Sequence, residues 1–255
     1  MVLSMKRWVG HIAVVTGASS GIGAGIAKKL VEEGMIVVGL ARRKERIDEL
    51  ANNLGEKKKQ FYSLKCDISH EQDILDAFEW ITKKIGPLYV LVNSAGCFRN
   101  DSLTDGKTEN MKQVVDTNLI GLTICCREAI RIMKENNIAG HIININSILG
   151  QHIPRDVINV SMYCPTKFAV RAVTETLRLE LIHQDSPIKT TNICPGATET
   201  EISLKALKVG GYAHLFPENK MLLPEDVADA VTYALSTPPQ VQIKELTLKP
   251  LTEKF

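Results

Sequence analysis

Residues 11–40 read HIAVVTGASSGIGAGIAKKLVEEGMIVVGL. An apolar run, Ile12–Val15, leads into Thr16-Gly17-Ala18-Ser19-Ser20-Gly21-Ile22-Gly23. Apolar residues then recur at helical spacing (Ile22, Ile26, Leu30, Val31) until Gly34, and a second apolar run begins at Met35. The order is strand, glycine-rich turn, helix, strand. Glycine lets the backbone turn tightly and approach an anion closely. The first turn of a helix offers N–H groups with no intrahelical partner. This is the setting of a dinucleotide-binding turn, although the spacing is G-x-x-x-G-x-G rather than G-x-G-x-x-G. On this reading Gly17, Ser19, Ser20, Gly21, Ile22 and Gly23 meet the cofactor.

Outward from that unit, apolar strands are predicted at 11–16, 36–40, 60–64, 88–93, 140–146, 188–194 and 242–248. Helices are predicted between them, near 21–33, 44–54, 70–85, 109–137, 161–185 and 225–236. Regular alternation of this kind predicts an α/β Rossmann fold: a doubly wound parallel sheet of about seven strands, helices on both faces, one domain over 1–255. Right-handed crossovers place the C-terminal strand ends on one edge. The glycine-rich turn, Asn93, Ser147 and Pro195 all follow strand ends and should converge there.

The second strand ends at Leu40 and continues Ala41-Arg42-Arg43, with no carboxylate at its tip. An acid at that place commonly holds a ribose 2′-hydroxyl, whereas a guanidinium fork suits a 2′-phosphate. The expected cofactor is therefore NADP(H), with Arg42 its main 2′-phosphate ligand and Arg43 beside it. The competing reading makes Arg42 and Arg43 the start of a solvated helix, RRKERIDEL.

Tyr163 and Lys167 lie four apart in SMYCPTKFAV, and Ser147 lies upstream in HIININSILG. On a helix the two side chains share one face, one turn apart. An ammonium beside a phenol favours the phenolate, and such a tyrosine can take a proton from an alcohol or give one to a carbonyl.

These residues resemble the short-chain dehydrogenase/reductase family over nearly the whole chain. The resemblance rests on TGASSGIG (16–23), Cys66-Asp67-Ile68, Asn93-Ser94-Ala95-Gly96, Asn118, Ser147, Tyr163/Lys167 and Pro195-Gly196. Ser94 departs from the usual Asn-Asn-Ala-Gly. HIININS, PEDVADAV and STPPQVQI are similar to a subgroup holding insect NADP-dependent farnesol dehydrogenases and vertebrate cytosolic keto-steroid reductases. The resemblance implies a tetrad: Tyr163 as acid/base, Lys167 lowering its pKa and bonding the ribose, Ser147 orienting the substrate oxygen, and Asn118 anchoring a relay water. It also implies that Asp67 and Ile68 border the adenine. Asn93, Ala95 and Gly96 would line the cleft, and Pro195, Gly196, Thr198 and Thr200 would hold the nicotinamide side.

The substrate side is expected from Cys97–Asp101, Ile148–Met162 and a lid over about 197–223. That lid carries Leu204, Leu207, Val209, Tyr212, Leu215, Phe216, Met221 and Leu222, with Gly210-Gly211 as a hinge; the competing reading is a short amphipathic helix packed on the body. So much apolar surface fits an apolar alcohol or carbonyl, and the resemblance points to farnesol or a related isoprenoid alcohol. The alternatives are reduction of a keto-steroid or retinoid carbonyl, and a non-catalytic dinucleotide-binding scaffold. Arg99, Arg155 and His152 are expected to face solvent.

A net charge of +2 gives no reason to expect nucleic acid. No metal-type cysteine spacing, signal peptide or spanning segment is read, so a metal-free, cytoplasmic enzyme is expected, its six cysteines buried thiols. Cys97 and Cys164 are placed near the site. Helices around 119–137 and 161–185 are expected to form a homodimer or homotetramer, with Met162, Phe168, Val170 and Leu177 at the interface or in the core. Arg42→Ala should reduce the preference for NADP over NAD; an unchanged ratio of dissociation constants would refute the role given to Arg42.

Overall fold

The computed structural model describes residues 3–155, 159–204, 221–251 and 253. The chain alternates β1 (Ile12–Thr16), α1 (Gly21–Glu32), β2 (Ile36–Ala41), α2 (Lys44–Asn52), β3 (Phe61–Lys65), α3 (Glu71–Lys84) and β4 (Leu88–Asn93). It continues through α4 (Thr108–Val115), α5 (Leu122–Glu135), β5 (His141–Ile145), α6 (Tyr163–His183), β6 (Lys189–Pro195), α7 (Pro224–Ser236) and β7 (Glu245–Leu248). All strand pairs are parallel, in the order β3-β2-β1-β4-β5-β6-β7. Every expected strand is present.

Strands covered on both faces need apolar side chains on both, and β1 (IAVVT) is buried at all five positions. On one face, Ile26, Leu30 and Val31 of α1 and Val227, Val231 and Leu235 of α7 pack on the sheet. On the other, Ile74, Phe78 and Ile81 of α3, Cys125 and Ile132 of α5, and Val170 and Leu181 of α6 do so. Val170 is thus core, and Leu177 packs against it; Phe168 remains 39% exposed.

The strand order reverses between β1 and β4, which opens a crevice at their C-terminal ends. Two features bring the chain close there. Gly17 has φ +71°, and a Cβ on it would lie 2.7 Å from Ala95 Cα. The Thr16 hydroxyl accepts hydrogen bonds from the Ser94 and Ala95 N–H groups, both at 3.1 Å.

One expected helix, 109–137, differs. It is interrupted by a π-turn, Asp116–Gly121. Gly121 lies against the Ile68 carbonyl so closely that no side chain would fit. The wider turn places Asn118 inward, where it is buried.

Away from the crevice, His141 is fully buried on β5, its Nε2 2.8 Å from the Thr191 hydroxyl. Burial, with the cations of Lys189 and Arg7 nearby, holds this imidazole well below its ordinary pKa. The unfolded chain therefore binds a proton below about pH 6.5 that the folded chain resists. Stability should fall as pH drops from 7 to 5, and His141→Gln should flatten that fall. Urea midpoints across this range check it; an equally steep fall in the variant would contradict the assignment.

Candidate active site

A cavity of about 470 Å³ occupies the crevice. Gly17, Ser19, Ser20, Gly21, Ile22, Arg42, Arg43, Asp67, Ile68, Ala95 and Gly96 line it. So do Ser147, Tyr163, Lys167, Pro195, Gly196, Thr198 and Thr200. Seven segments far apart in sequence meet here: six follow strand ends, and the seventh is the start of α6.

At the turn, Gly17 and Gly21 have φ of +71° and +54°, in the left-handed region that glycine adopts without strain. Ser20 is extended and makes no side-chain cap to α1. The N–H groups of the first helical turn are thus left facing the cavity, as an anionic pyrophosphate requires. The residues present fit a dinucleotide. Gly23 differs from expectation: it lies behind the turn, where a Cβ would strike the Gly17 carbonyl. Its role is to let α1 pack on the turn.

Beyond β2, the two arginines separate. Arg42 is 60% exposed and lies 4.0 Å from Asp67, whose Oδ1 accepts from the Ser69 N–H and hydroxyl. Arg43 folds back over the turn, donating to the Ser20 hydroxyl at 3.1 Å and to Glu201 at 3.0 Å. Of the two, Arg43 stands nearer the glycine-rich turn.

Tyr163 opens α6, and Lys167 follows one turn later on the same face. The Lys167 ammonium is 5.7 Å from the Tyr163 ring centre and donates to the Ile145 carbonyl at 3.0 Å. The Phe98 ring packs edge-on against Tyr163 at 5.9 Å. Desolvation pushes the Tyr163 phenol up to about 12; the hydrogen bond with Ser147 opposes this. Burial also pushes Lys167 down to about 8. The Lys167 ammonium is thus bonded to the Ile145 carbonyl, and burial is the largest influence on the phenol.

Ser147 follows β5 and caps the short turn Ile148–Gly150, its hydroxyl accepting from the Leu149 N–H at 3.1 Å. Asn118 stands behind the cavity wall. Its Oδ1 accepts from the Cys97 N–H at 2.8 Å, and its Nδ2 donates to the Cys97 carbonyl at 2.9 Å and the Thr166 hydroxyl at 3.3 Å. This clamps the loop after β4 to α6. Asn93 also points away from the cavity, because the side chain of this strand residue turns toward β5. Its Nδ2 donates to Asn144 Oδ1 at 2.9 Å, and Asn144 Nδ2 donates to Thr174 at 2.9 Å.

Several site residues had no sequence signal. Glu201 and Glu253 both line the cavity. Glu253 accepts from the Ala197 N–H at 3.0 Å, its other oxygen is buried without a partner, and burial raises its pKa. Arg99, expected in solvent, lines the cavity with its guanidinium bonded to Gln113 and the Phe98 carbonyl. Phe98, Ile148, Leu149, Val160, Ile202 and Met221 supply an apolar wall. All six cysteines are buried free thiols; Cys97 lines the cavity, whereas Cys164 does not. Among the described residues there is no cluster of metal-ligand type, and no helix long and apolar enough to cross a membrane. The expected lid core (Leu207, Val209, Gly210-Gly211, Tyr212, Leu215, Phe216) lies outside the described residues.

A dinucleotide-type turn facing a tyrosine, lysine and serine across one crevice defines an oxidoreductase. The chain belongs to the short chain dehydrogenase family, whose model matches residues 11–208. Farnesol dehydrogenase of Aedes aegypti is 47% identical over 253 residues, 98% of this chain and 100% of its own. Dehydrogenase/reductase SDR family member 11 of Mus musculus is 42% identical, with 96% of each chain covered. A solved structure, the closed form of serine dehydrogenase complexed with NADP+, is 31% identical with a TM-score of 0.84 over 96% of each chain.

Asn144→Ala should remove the acceptor of the Asn93 amide and the donor to the Thr174 hydroxyl, which keeps its bond to the Val170 carbonyl, lowering stability by about 1–3 kcal/mol. Urea denaturation checks this; a loss within error would mean that the bonds contribute nothing net.

Proposed function

We propose that this enzyme uses NADP(H) to interconvert an apolar alcohol and its carbonyl, with farnesol or a related isoprenoid alcohol as substrate. The observation that carries the reading is the single cavity that joins the glycine-rich turn, two arginines, the Tyr163 hydroxyl and an apolar wall. The similar farnesol dehydrogenase and the NADP+ complex of the similar serine dehydrogenase support it.

When bound, the nicotinamide supplies or accepts the hydride. The chain's own residues manage one proton. In oxidation, Tyr163 takes the proton of the alcohol hydroxyl as hydride leaves the adjacent carbon. In reduction, it returns that proton to the carbonyl oxygen. Ser147 holds this oxygen through its hydroxyl. Lys167, near the Tyr163 ring and bonded to the Ile145 carbonyl, would bond the ribose. Asn118 acts as a positioning residue, with its side-chain amide committed to Cys97 and Thr166; a relay water would be held by its main chain. A second reading is reduction of a keto-steroid or retinoid carbonyl, with the same residues running in the opposite direction; the similarity to dehydrogenase/reductase SDR family member 11 favours it.

The buried free thiols fit the reducing cytoplasm. Leu179 and Ile182, 52% and 55% exposed on α6, fit a homo-oligomer, which sedimentation would test.

Farnesol with NADP, assayed beside a keto-steroid with NADPH, decides between the substrates; absence of turnover with any terpenoid alcohol would overturn the first. Tyr163→Phe should lower turnover about 10²- to 10⁴-fold in both directions while leaving dinucleotide affinity intact. Because alcohol oxidation needs the phenolate, its rate should rise with pH through the alkaline range and reduction should not. A flat oxidation profile would argue against Tyr163 as the base.

A further inference from the structure

The mouth of the cavity carries a carboxylate that the reaction does not use. Glu201 follows the Pro195–Thr200 loop, on the opposite side of the crevice from α2. Its Oε2 accepts from Arg43 Nη1 at 3.0 Å, and its Oε1 accepts from Arg46. Arg43 Nη2 reaches on to the Ser20 hydroxyl at 3.1 Å and the Ser19 hydroxyl at 3.4 Å. The Arg43 and Glu201 side chains are 40% and 41% exposed, so a ligand anion can reach the pair. Arg42 makes the longer 4.0 Å approach to Asp67.

One carboxylate therefore occupies guanidinium groups at the place where the second strand delivers its cations. We propose that Glu201 is an exchangeable counter-ion that sets the enzyme's affinity for the 2′-phosphate of its dinucleotide, an inference that rests on the NADP(H) reading. A phosphate brings up to two charges and three acceptor oxygens, against one charge and two oxygens for the carboxylate. Arg43 cannot give the same N–H to both, and two anions left a few ångströms apart repel. The phosphate displaces Glu201 from Arg43, and the Arg46 tie loosens with it. A dinucleotide lacking the phosphate leaves the clasp closed. Part of the phosphate's binding energy thus goes into breaking an internal ion pair.

The test is calorimetric titration with adenosine 2′,5′-bisphosphate and, as the ligand without the 2′ group, adenosine 5′-phosphate. Glu201→Gln keeps the size and removes the charge. It should bind the bisphosphate roughly three- to tenfold more tightly, with 5′-phosphate affinity unchanged and the gain shrinking as salt rises. Glu201→Ala should shift affinity in the same direction, and circular dichroism should show both variants folded. Weaker bisphosphate binding in both variants would show that Glu201 instead preorganises Arg43, and would overturn the proposal. So would an equal change for the two ligands. A wild-type enzyme that binds both ligands alike overturns the NADP(H) reading as well. A wild type that discriminates, with Glu201→Gln unchanged, sinks only the counter-ion.

Discussion

The site depends on the contact where the chain after β1 meets the chain after β4. The Thr16 hydroxyl takes two N–H groups from the neighbouring loop, and Gly17 approaches Ala95 at a distance that tolerates no side chain. Strand order reverses at that point, so the sheet itself leaves the gap and this contact shapes its floor. The glycine-rich turn and the start of the loop after β4 hold their spacing because Thr16, at the root of the turn, bonds Ser94 and Ala95. Everything that acts on a substrate is arranged around that floor.

A second constraint is a polar row within an apolar sheet. Asn93, Asn144 and Asn192 stand in register on β4, β5 and β6. Asn93 bonds Asn144, Asn144 bonds Thr174 of α6, and Asn192 bonds Glu245 of β7. Buried amides are costly unless paired; here the Nδ2 donors are paired and fix register, while the Asn93 and Asn192 Oδ1 atoms are buried without a partner. Ser147 leaves the end of β5, while Tyr163 and Lys167 ride on α6. The Asn144–Thr174 bond ties those two elements together. The row thus bears on the reaction without touching a reactant.

The fold was legible because parallel strands covered on both sides are largely apolar, as β1, β2 and β4 are, while β6 (KTTNICP) was legible mainly from its place in the alternation. The turn was legible because glycines between a strand and a helix have a distinct stereochemical reason to be there. Tyr163 and Lys167 were legible as a spacing, but their protonation was not. Desolvation depends on what the rest of the chain packs around a phenol, and a four-residue interval says nothing of it. Asn93 was found as a residue but its side chain turns to β5 rather than into the cavity, and the bonds of Asn118 to Cys97 and Thr166 carried no signal, since the direction of an amide at a strand end or inside a π-turn is a tertiary property. Glu201, Glu253 and Arg99 carried no local pattern. Their place in the cavity comes from elements that converge only once the sheet has formed.

The π-turn at Asp116–Gly121 makes the length of its stretch as important as its composition. An ordinary helix advances about 100° per residue. Deleting one residue there would restore regular winding and swivel α4 by that angle relative to α5. Asn118 would then swing away from Cys97, and the loop behind Phe98 would lose its tether. This segment is a place where a change in residue count is felt more than most changes in residue type, although nothing at its surface marks it as different from the helices on either side.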